Sequence, residues 1–439
     1  MALGGGTWLV QNKVLPGSYI NFTSAARASA TLSDRGTATM PVELDWGPDG
    51  KIFTVTAEEF QKNSLKIFGH AYTDDKLKKL RELFTYAQTV HLYKLNTGGS
   101  KASNTFAEAL YAGSAGNELK TVIEYNEEYK ASENEVYDVS TYMGTVCVDA
   151  QEAVKNASEL VDNDYVHFKS NASLSATAST PLTGGTDGTV KDASYQDYLD
   201  KVESYSFNVM GCDSTSDTIK KLFAAFTKRM RDEVGAKFQT VLFRYAADYE
   251  GVISVENGLE GSGISSELVY WTTGAEAACA VNKDLTNRQY DGEYDVMTDY
   301  TQAQLAAAIK AGKFMFHNVN GSVNVLNDIN TFITETEEKN SDFFSNQVIR
   351  VLDQIGNDIA ALFNKKYLGK YQNVASGRMS LWNDIVSHHD QMQSINAIQN
   401  FDPADVVVVQ GEMKDAVLVT DSVQPASVMK KLYMSVIVS

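Results

Sequence analysis

The sequence contains 439 residues, of which 43% are hydrophobic and 10% aromatic, a composition that excludes a disordered or fibrous chain and supplies sizeable hydrophobic cores. At about 150 residues per domain, this length predicts roughly three domains. The formal net charge of −18 argues against nucleic acid as a direct partner, because phosphate binding requires clustered lysine and arginine side chains.

Cysteine usage and the absence of targeting signals predict where the protein is made. Cys147, Cys212 and Cys279 are widely spaced and form no CxxC motif, which favours a reducing compartment over a disulfide framework. The first residues lack the charged region of a secretion signal, and no window approaches the roughly 18 apolar residues of a membrane span. We therefore expect synthesis and assembly in a cytoplasm, without membrane insertion.

The chain begins with a segment that is typical of an extended arm. Residues 1–27 contain a glycine cluster, and a strand-like pattern follows around Val14–Phe22. Trp8, Tyr19 and Phe22 have no obvious local core to join. We therefore expect these aromatic side chains to contact a partner.

From Thr37 the pattern changes to strand, helix, strand. A strand is predicted over Thr39–Trp46, and the Thr56–Glu59 spacing is that of a capping box at a helix start. Leucines at helical spacing predict a second helix over Asp74–Ala87, followed by a strand over Val90–Leu95.

The next segment, between about residues 100 and 191, is different in character. Short β-prone runs alternate with small polar residues, and the segment ends in the turn-rich residues 180–189. The predicted strands are Thr121–Tyr125, Glu135–Ser140, Thr145–Asp149 and Tyr165–Phe168. This pattern predicts a β-domain inserted into an α/β domain.

The α/β pattern then resumes. A strand (Tyr205–Met210), a helix that begins at Ser216 or Asp217, and an apolar strand (Phe238–Tyr245) make a βαβ unit, which predicts a largely parallel sheet. Further on, Thr301 is predicted to cap a helix over Gln302–Ala311, with a strand over Lys313–Asn318.

The C-terminal part combines helices and strands. One helix is predicted around residues 348–363 and a second over Arg378–Ile395. Three strands are predicted to follow, namely Ala404–Gln410, Asp415–Asp421 and Val428–Val438.

The terminal strand carries the most informative pattern of the chain. Leu432, Met434, Val436 and Val438 alternate with Tyr433, Ser435, Ile437 and Ser439, without a charged side chain or a proline. Natural proteins usually protect a sheet edge with charge, proline or a bulge. Because a strand needs a neighbouring strand to pair with, this one belongs either to a sheet of its own domain or to a sheet of another chain.

Catalytic and ligand-binding motifs are weak. Gly98-Gly99-Ser100-Lys101 has the wrong spacing for a phosphate loop, and Gly261-Ser262-Gly263 lacks the third glycine of a dinucleotide fingerprint. Adjacent side chains on a helix point about 100° apart, so His388 and His389 cannot share one metal ion, and a polar helix face is predicted there. We predict no catalytic, cofactor or metal site; a serine-hydrolase-like enzyme and a surface-lattice or adhesin protein remain alternatives.

Five stretches along the chain carry a recognisable pattern. They are Pro16–Asn21 (PGSYIN), Thr39–Pro48 (TMPVELDWGP), Leu326–Phe332 (LNDINTF), Val348–Asp353 (VIRVLD) and Tyr367–Lys370 (YLGK). In this order they resemble the contractile tail sheath proteins of myophages and of phage-tail-like bacteriocins (tailocins) of Gram-positive bacteria. The resemblance covers the whole chain and is weakest in the inserted segment.

This resemblance implies a fold, an assembly and partners. It implies a subtilisin-like α/β domain without catalytic residues, an inserted β-domain and a C-terminal α+β domain with exchanged terminal strands. The expected boundaries are 1–27 (arm), 28–98 and 192–327 (α/β), 99–191 (inserted), 328–421 (C-terminal) and 422–439 (terminal strand). Stacked hexameric rings around an inner tail tube would contract to drive the tube through an envelope, in a phage tail or a released bacteriocin particle. The other expected partners are baseplate and tail terminator proteins, and no cofactor is needed.

The resemblance also implies which residues join neighbouring subunits. In the N-terminal arm these are Val14, Leu15, Tyr19, Ile20 and Phe22. In the C-terminal strand they are Leu432, Tyr433, Met434, Val436, Ile437 and Val438. Glycines 4–6 and residues 422–425 are expected to act as hinges for the two arms.

Overall fold

A computed structural model describes residues 32–128, 136–261 and 265–438 of the chain. Internal contacts divide these residues into two compact units. The larger unit comprises residues 34–356 together with 425–438, and the smaller comprises 357–424 together with 32–33. In the parts that the structure describes, no helix is long and apolar enough to cross a bilayer.

The larger unit contains an α/β part in two segments and a β-rich part between them. The first segment contains β1 (Thr37–Val42), β2 (Ile52–Thr56), α1 (Ala57–Phe68), α2 (Lys78–Phe84) and β3 (Thr89–Lys94). The β-rich part contains β4 (Lys101–Ser103), β5 (Ala107–Ala112), β6 (Leu119–Tyr125), β7 (Tyr137–Met143), β8 (Val146–Val154), β9 (Val166–Phe168) and β10 (Thr177–Pro181). The second segment contains α3 (Asp192–Val202), β11 (Val209–Cys212), α4 (Asp217–Arg229), β12 (Gln239–Phe243), β13 (Val252–Val255), α5 (Leu268–Ala278), α6 (Gln302–Lys310), β14 (Lys313–Phe314), β15 (Phe316–Val319) and β16 (Ser322–Val325).

The remaining elements lie in the C-terminal third. They are α7 (Asn346–Leu362), which contributes residues to both units, α8 (Ala375–Ser394), β17 (Ile398–Gln399), β18 (Val406–Gln410), β19 (Val417–Asp421) and β20 (Gln424–Pro425). A turn of π-helix extends α4 over Met230–Val234, and another extends α7 over Phe363–Tyr367.

A seven-stranded sheet organises the α/β part. Its strand order is β14-β13-β12-β11-β1-β3-β2, and every neighbouring pair is parallel except β2 with β3 at the edge. Parallel pairing requires crossover connections, which α3 and α4 supply on one face and α5 on the other. The predicted largely parallel sheet is confirmed.

Side chains of β1 show how the sheet is covered on both faces. Ala38, Met40 and Val42 join the hydrophobic core formed with α2 and α5. Thr39 points to the other face, where its Oγ1 lies 2.9 Å from the hydroxyl of Tyr198 on α3. Because the strand is covered on both faces, it carries no charged side chain, and the polar Thr39 is buried with a hydrogen-bond partner.

The inserted segment forms two antiparallel sheets. One has the order β10-β6-β7-β8 and the other β4-β5-β9. Trp46, from the α/β part, packs in a core with residues of this segment, its ring centroid 5.2 Å from that of Tyr111. The predicted β-rich insertion is therefore confirmed.

In the smaller unit, α8 packs against the hairpin β18–β19. Leu381 and Ile385 of α8 share a hydrophobic core with Val406 of β18. The indole Nε1 of Trp382 donates a hydrogen bond to the Val406 carbonyl oxygen at 2.8 Å. These contacts leave one face of the hairpin turned away from the helix.

The predicted strand over Val428–Val438 pairs with no described segment of its own chain, so its pairing with a second chain stays a prediction. The predicted hinge is wrong. Residues 422–425 do not form a free hinge, because β20 pairs with β17 and the Asn400 amide donates to Gln424 Oε1 at 3.0 Å.

Candidate functional site

The C-terminal segment presents a row of exposed apolar side chains. The six side chains predicted to contact another subunit are 74–92% exposed, namely Leu432, Tyr433, Met434, Val436, Ile437 and Val438. Contiguous apolar exposure of this kind marks an interaction surface rather than an ordinary monomer surface. The five corresponding residues of the N-terminal arm, Val14, Leu15, Tyr19, Ile20 and Phe22, lie outside the described residues.

The hairpin β18–β19 is a second apolar surface with open strand edges. Its register pairs Val407 with Thr420 and Val409 with Leu418. Val407, Val409 and Leu418 are 44–56% exposed, on the face opposite the α8 contact. Among the described residues, no third strand joins this two-stranded sheet.

A groove runs along β18, beside the first half of α8. Its volume is about 420 Å³, and Met379 and Trp382 of α8 line it together with Val408 and Gln410. Its mainly apolar lining and its position beside a strand suit an extended apolar segment. The sequence predicted the two strands that form the hairpin but gave no sign of the groove.

His388 and His389 are buried, so the predicted polar helix face is wrong at these positions. Both side chains are 0% exposed. His388 Nε2 lies 3.0 Å from Asp358 Oδ2, His389 Nε2 lies 2.7 Å from Asp421 Oδ2, and the two Nδ1 atoms are 3.2 Å apart. This chain of polar contacts ties α7, α8 and β19 together. The sequence could not indicate it, because the carboxylates lie about 30 residues from the histidines.

We expect the His388→Ala substitution to lower the free energy of unfolding by about 2–4 kcal/mol, because it opens a cavity and removes a buried partner of Asp358. His167→Ala is the matched control, since His167 also pairs with a carboxylate, Asp162, but is 48% exposed. Urea denaturation followed by circular dichroism measures both. Equal losses for the two variants would contradict the structural role of His388.

Two further histidines, His70 and His91, have partners of different kinds. His70 bonds Asp45, and His91 Nδ1 lies 2.8 Å from Thr54 Oγ1 with no carboxylate partner. Burial lowers the pKa of His91, with a smaller opposing contribution from a hydrogen bond with the Ser206 main chain. Within the described ranges, no three or more His, Cys, Asp or Glu side chains are arranged to hold a metal ion. The segment from Gly98 to Ser100 is followed by strand β4, which begins at Lys101, and not by a helix. A phosphate loop would be followed by a helix, so the segment is not one, in agreement with the prediction from its spacing.

A buried ionic cluster in the larger unit went unpredicted. Arg350 of α7, whose side chain is 1% exposed, lies 2.6 Å from Glu276 Oε2 and 3.2 Å from Asp328 Oδ2. Its Nη1 donates to the Lys283 carbonyl at 2.7 Å. The only sequence signals were a glutamate among alanines at 275–277 and an arginine within an amphipathic stripe.

Comparison with known proteins identifies the family of the chain. Sequence models of the phage tail sheath family match along the chain: the domain III N-terminal region of tail sheath protein Gp18 (35–95), the β-sandwich domain (96–187), the central domain (188–331) and the C-terminal domain (338–439). The phage-like element PBSX protein XkdK of Bacillus subtilis is 32% identical over 472 residues, covering 99% of each chain. The chain belongs to the phage tail sheath protein family.

Solved structures agree with this assignment. The sheath tail protein of Desulfitobacterium hafniense is 37% identical, with a TM-score of 0.81 over 95% of this sheath protein and 99% of that chain. The contracted helical sheath of the anti-feeding prophage shares the fold, with a TM-score of 0.54 at 12% identity over 97% of this chain and 99% of that one. The predicted identity as a contractile tail sheath protein, and the mixed α/β fold with a β-sandwich domain, are confirmed.

Proposed function

We propose that this sheath protein polymerises as stacked hexameric rings around an inner tail tube, and that contraction of the polymer drives the tube through a target envelope. The observation that carries the proposal is the apolar C-terminal segment, which has no strand partner among the described residues of its own chain. Heterologous contacts that do not close on themselves generate an open helical polymer, as a sheath requires.

The connection between subunits is strand addition. In this proposal residues 432–438 of one copy enter the groove beside β18 of another copy and extend the hairpin sheet. Main-chain hydrogen bonds, each worth about 0.5–1.5 kcal/mol net, would add to the burial of side chains on alternate faces. The N-terminal residues Val14, Leu15, Tyr19, Ile20 and Phe22 would supply the second connection.

The remaining parts have the roles expected of a sheath subunit. The α/β part is proposed to be a subtilisin-like domain without catalytic residues, and the protein to have no enzymatic activity. The proposed C-terminal assembly domain covers residues 328–421. The proposed linking segments are residues 1–27 and 422–439. Tube, baseplate and terminator proteins are the proposed partners. The subunit would be made in a bacterial cytoplasm before it joins the particle.

Electron microscopy of the purified chain tests this function. In negative stain at high protein concentration we expect hollow, striated tubes or stacked rings, because the exposed segment and the open hairpin can satisfy each other between copies. Flat arrays would contradict the proposal in favour of a surface lattice. Labelling by a fluorophosphonate probe would contradict the non-enzymatic role.

A further inference from the structure

The C-terminal segment is held to the larger unit of its own chain just before its exposed part begins. Gln347, in the first turn of α7, is 1% exposed. Its Nε2 donates to the Ala426 carbonyl at 3.0 Å, and its Oε1 accepts from the Val428 N–H at 3.1 Å. One buried amide therefore pairs with main-chain groups two residues apart, as the edge of a neighbouring strand would.

A second contact follows two residues later. Lys430 Nζ lies 2.8 Å from Oδ2 of Asp284, a carboxylate whose side chain is only 2% exposed, and donates to Asn327 Oδ1 at 2.9 Å. The other oxygen of Asp284 accepts from the Thr286 N–H at 2.7 Å. A buried carboxylate needs a nearby cation, and here the C-terminal segment brings it.

The contacts stop at this lysine. Residues 431–438 are exposed, and within the described part of the chain none of them makes a hydrogen bond or an ion pair. The transition from held to exposed chain thus falls between Lys430 and Lys431. It lies several residues beyond the hinge that the sequence suggested at 422–425.

We propose that Gln347 and Lys430 form an anchor that fixes where the C-terminal arm leaves its own subunit, so that only residues 431–439 reach toward a second copy. This inference rests on the proposed strand addition. Gln347 and Lys430 act here as positioning residues. The residues that pair with the neighbouring sheet are 432–438.

The anchor limits both the reach and the freedom of the arm. Nine extended residues span about 30 Å at roughly 3.3 Å per residue, and release of the five residues 426–430 would add about 17 Å. The end of a longer free segment samples a larger volume, so the effective concentration of the arm at the neighbouring hairpin falls. An anchored arm also transmits a displacement of the subunit to its neighbour with less slack.

Hydrogen exchange of the full-length chain, read by mass spectrometry with fragmentation that resolves single amides, tests the anchor directly. We expect the Val428 amide to exchange about tenfold faster in Gln347→Leu than in the wild type, the change for loss of one hydrogen bond of about 1.4 kcal/mol. Lys430→Met should act in the same direction. Lys431→Met, which removes the same charge one residue further on, is the matched control and should leave the Val428 amide unchanged.

Polymerisation of the same variants tests the positioning role. We expect Gln347→Leu and Lys430→Met, with native circular dichroism, to need about twofold more protein than the wild type or Lys431→Met before polymers sediment, because a free segment of fourteen residues instead of nine lowers the effective concentration of the arm by about that factor. Polymerisation at the wild-type concentration, or a Val428 amide as fast as that of Val436 in the wild type, would overturn the anchor. If the wild type itself forms no polymer, the proposed function fails, while the exchange experiment still decides whether the anchor exists.

Discussion

A chain truncated after Leu432 is expected to fold as the full-length chain does and to form no tubes or rings. Within the described residues, positions 433–438 make no hydrogen bond or ion pair, and their large apolar side chains are almost fully exposed. Their removal therefore costs the isolated subunit little stability. It removes all but the first residue of the strand that is proposed to join one copy to the next, so the loss of polymers should be complete in negative stain and in sedimentation.

A point substitution separates main-chain pairing from side-chain burial. Val436→Pro removes an N–H donor and blocks strand pairing, whereas Val436→Ala removes only part of an apolar side chain. We expect the proline variant to behave like the truncated chain and the alanine variant to polymerise at a moderately higher concentration. A truncated chain that melts at a lower temperature, or loses its circular dichroism signal, would show instead that the segment belongs to the fold of its own subunit.

The elements that sequence patterns predicted well are those stabilised by local interactions. The Thr56 hydroxyl accepts from the Glu59 N–H, and the Glu59 carboxylate accepts from the Thr56 N–H, so the capping box lies at the start of α1 as expected. Thr301 and Gln304 repeat the arrangement at α6. Such signals span four residues and are visible without knowledge of the fold.

Helix α5 was missed because the fold, not local sequence, stabilises it. Ten residues in a row, from Leu268 to Ala277, are buried, so the helix has no polar face and no amphipathic period. Two threonines and a glycine at its centre lower the intrinsic helix propensity further. Its place between α2 and the central sheet compensates for that weakness.

The C-terminal segment is the opposite case, because its local sequence signal is strong but its pairing partner is missing. Its period of two predicted a strand, yet a strand requires a partner, and no described part of the same chain supplies one. The histidine pair on α8 was misjudged for a related reason, since Asp358 and Asp421 come from α7 and β19. Long-range polar pairing leaves no periodic trace in a sequence.

Arg350→Ala is expected to destabilise the protein by about 3–5 kcal/mol, because it leaves buried carboxylates without their cation. Burial raises the pKa of Glu276 well above its ordinary value, and the charge of Asp328 raises it further. Burial alone would also raise the pKa of Asp328, but Arg350 and hydrogen bonds from neighbouring groups hold it below the ordinary value. Arg350 thus lies between two buried carboxyl groups whose pKa values are shifted in opposite directions.

The stability lost in Arg350→Ala is expected to depend on pH in a definite direction. In the wild type, Asp328 has a lowered pKa, so its contribution to stability is present above the unfolded-state pKa and is lost as the pH falls through the folded-state value. Without Arg350, burial should raise the pKa of Asp328 above its unfolded value. The penalty of Arg350→Ala should therefore be largest near neutral pH and shrink as the pH falls toward 4. Urea denaturation at several pH values measures this trend.

Two further variants separate the missing cation from the missing side-chain volume. Arg350→Met combined with Asp328→Asn keeps most of the volume and removes both charges, so it should recover much of the stability that Arg350→Ala loses. Lys62→Ala removes a cation from an ion pair whose two side chains are about 70% exposed, and should cause no measurable change because solvent already screens that pair. A loss for Arg350→Ala as small as that of Lys62→Ala, or one independent of pH, would mean that the buried cluster contributes nothing specific to the fold. The large, pH-dependent loss instead places Arg350 at the junction of α5 and α7, where one charged side chain holds together segments more than 70 residues apart in the sequence.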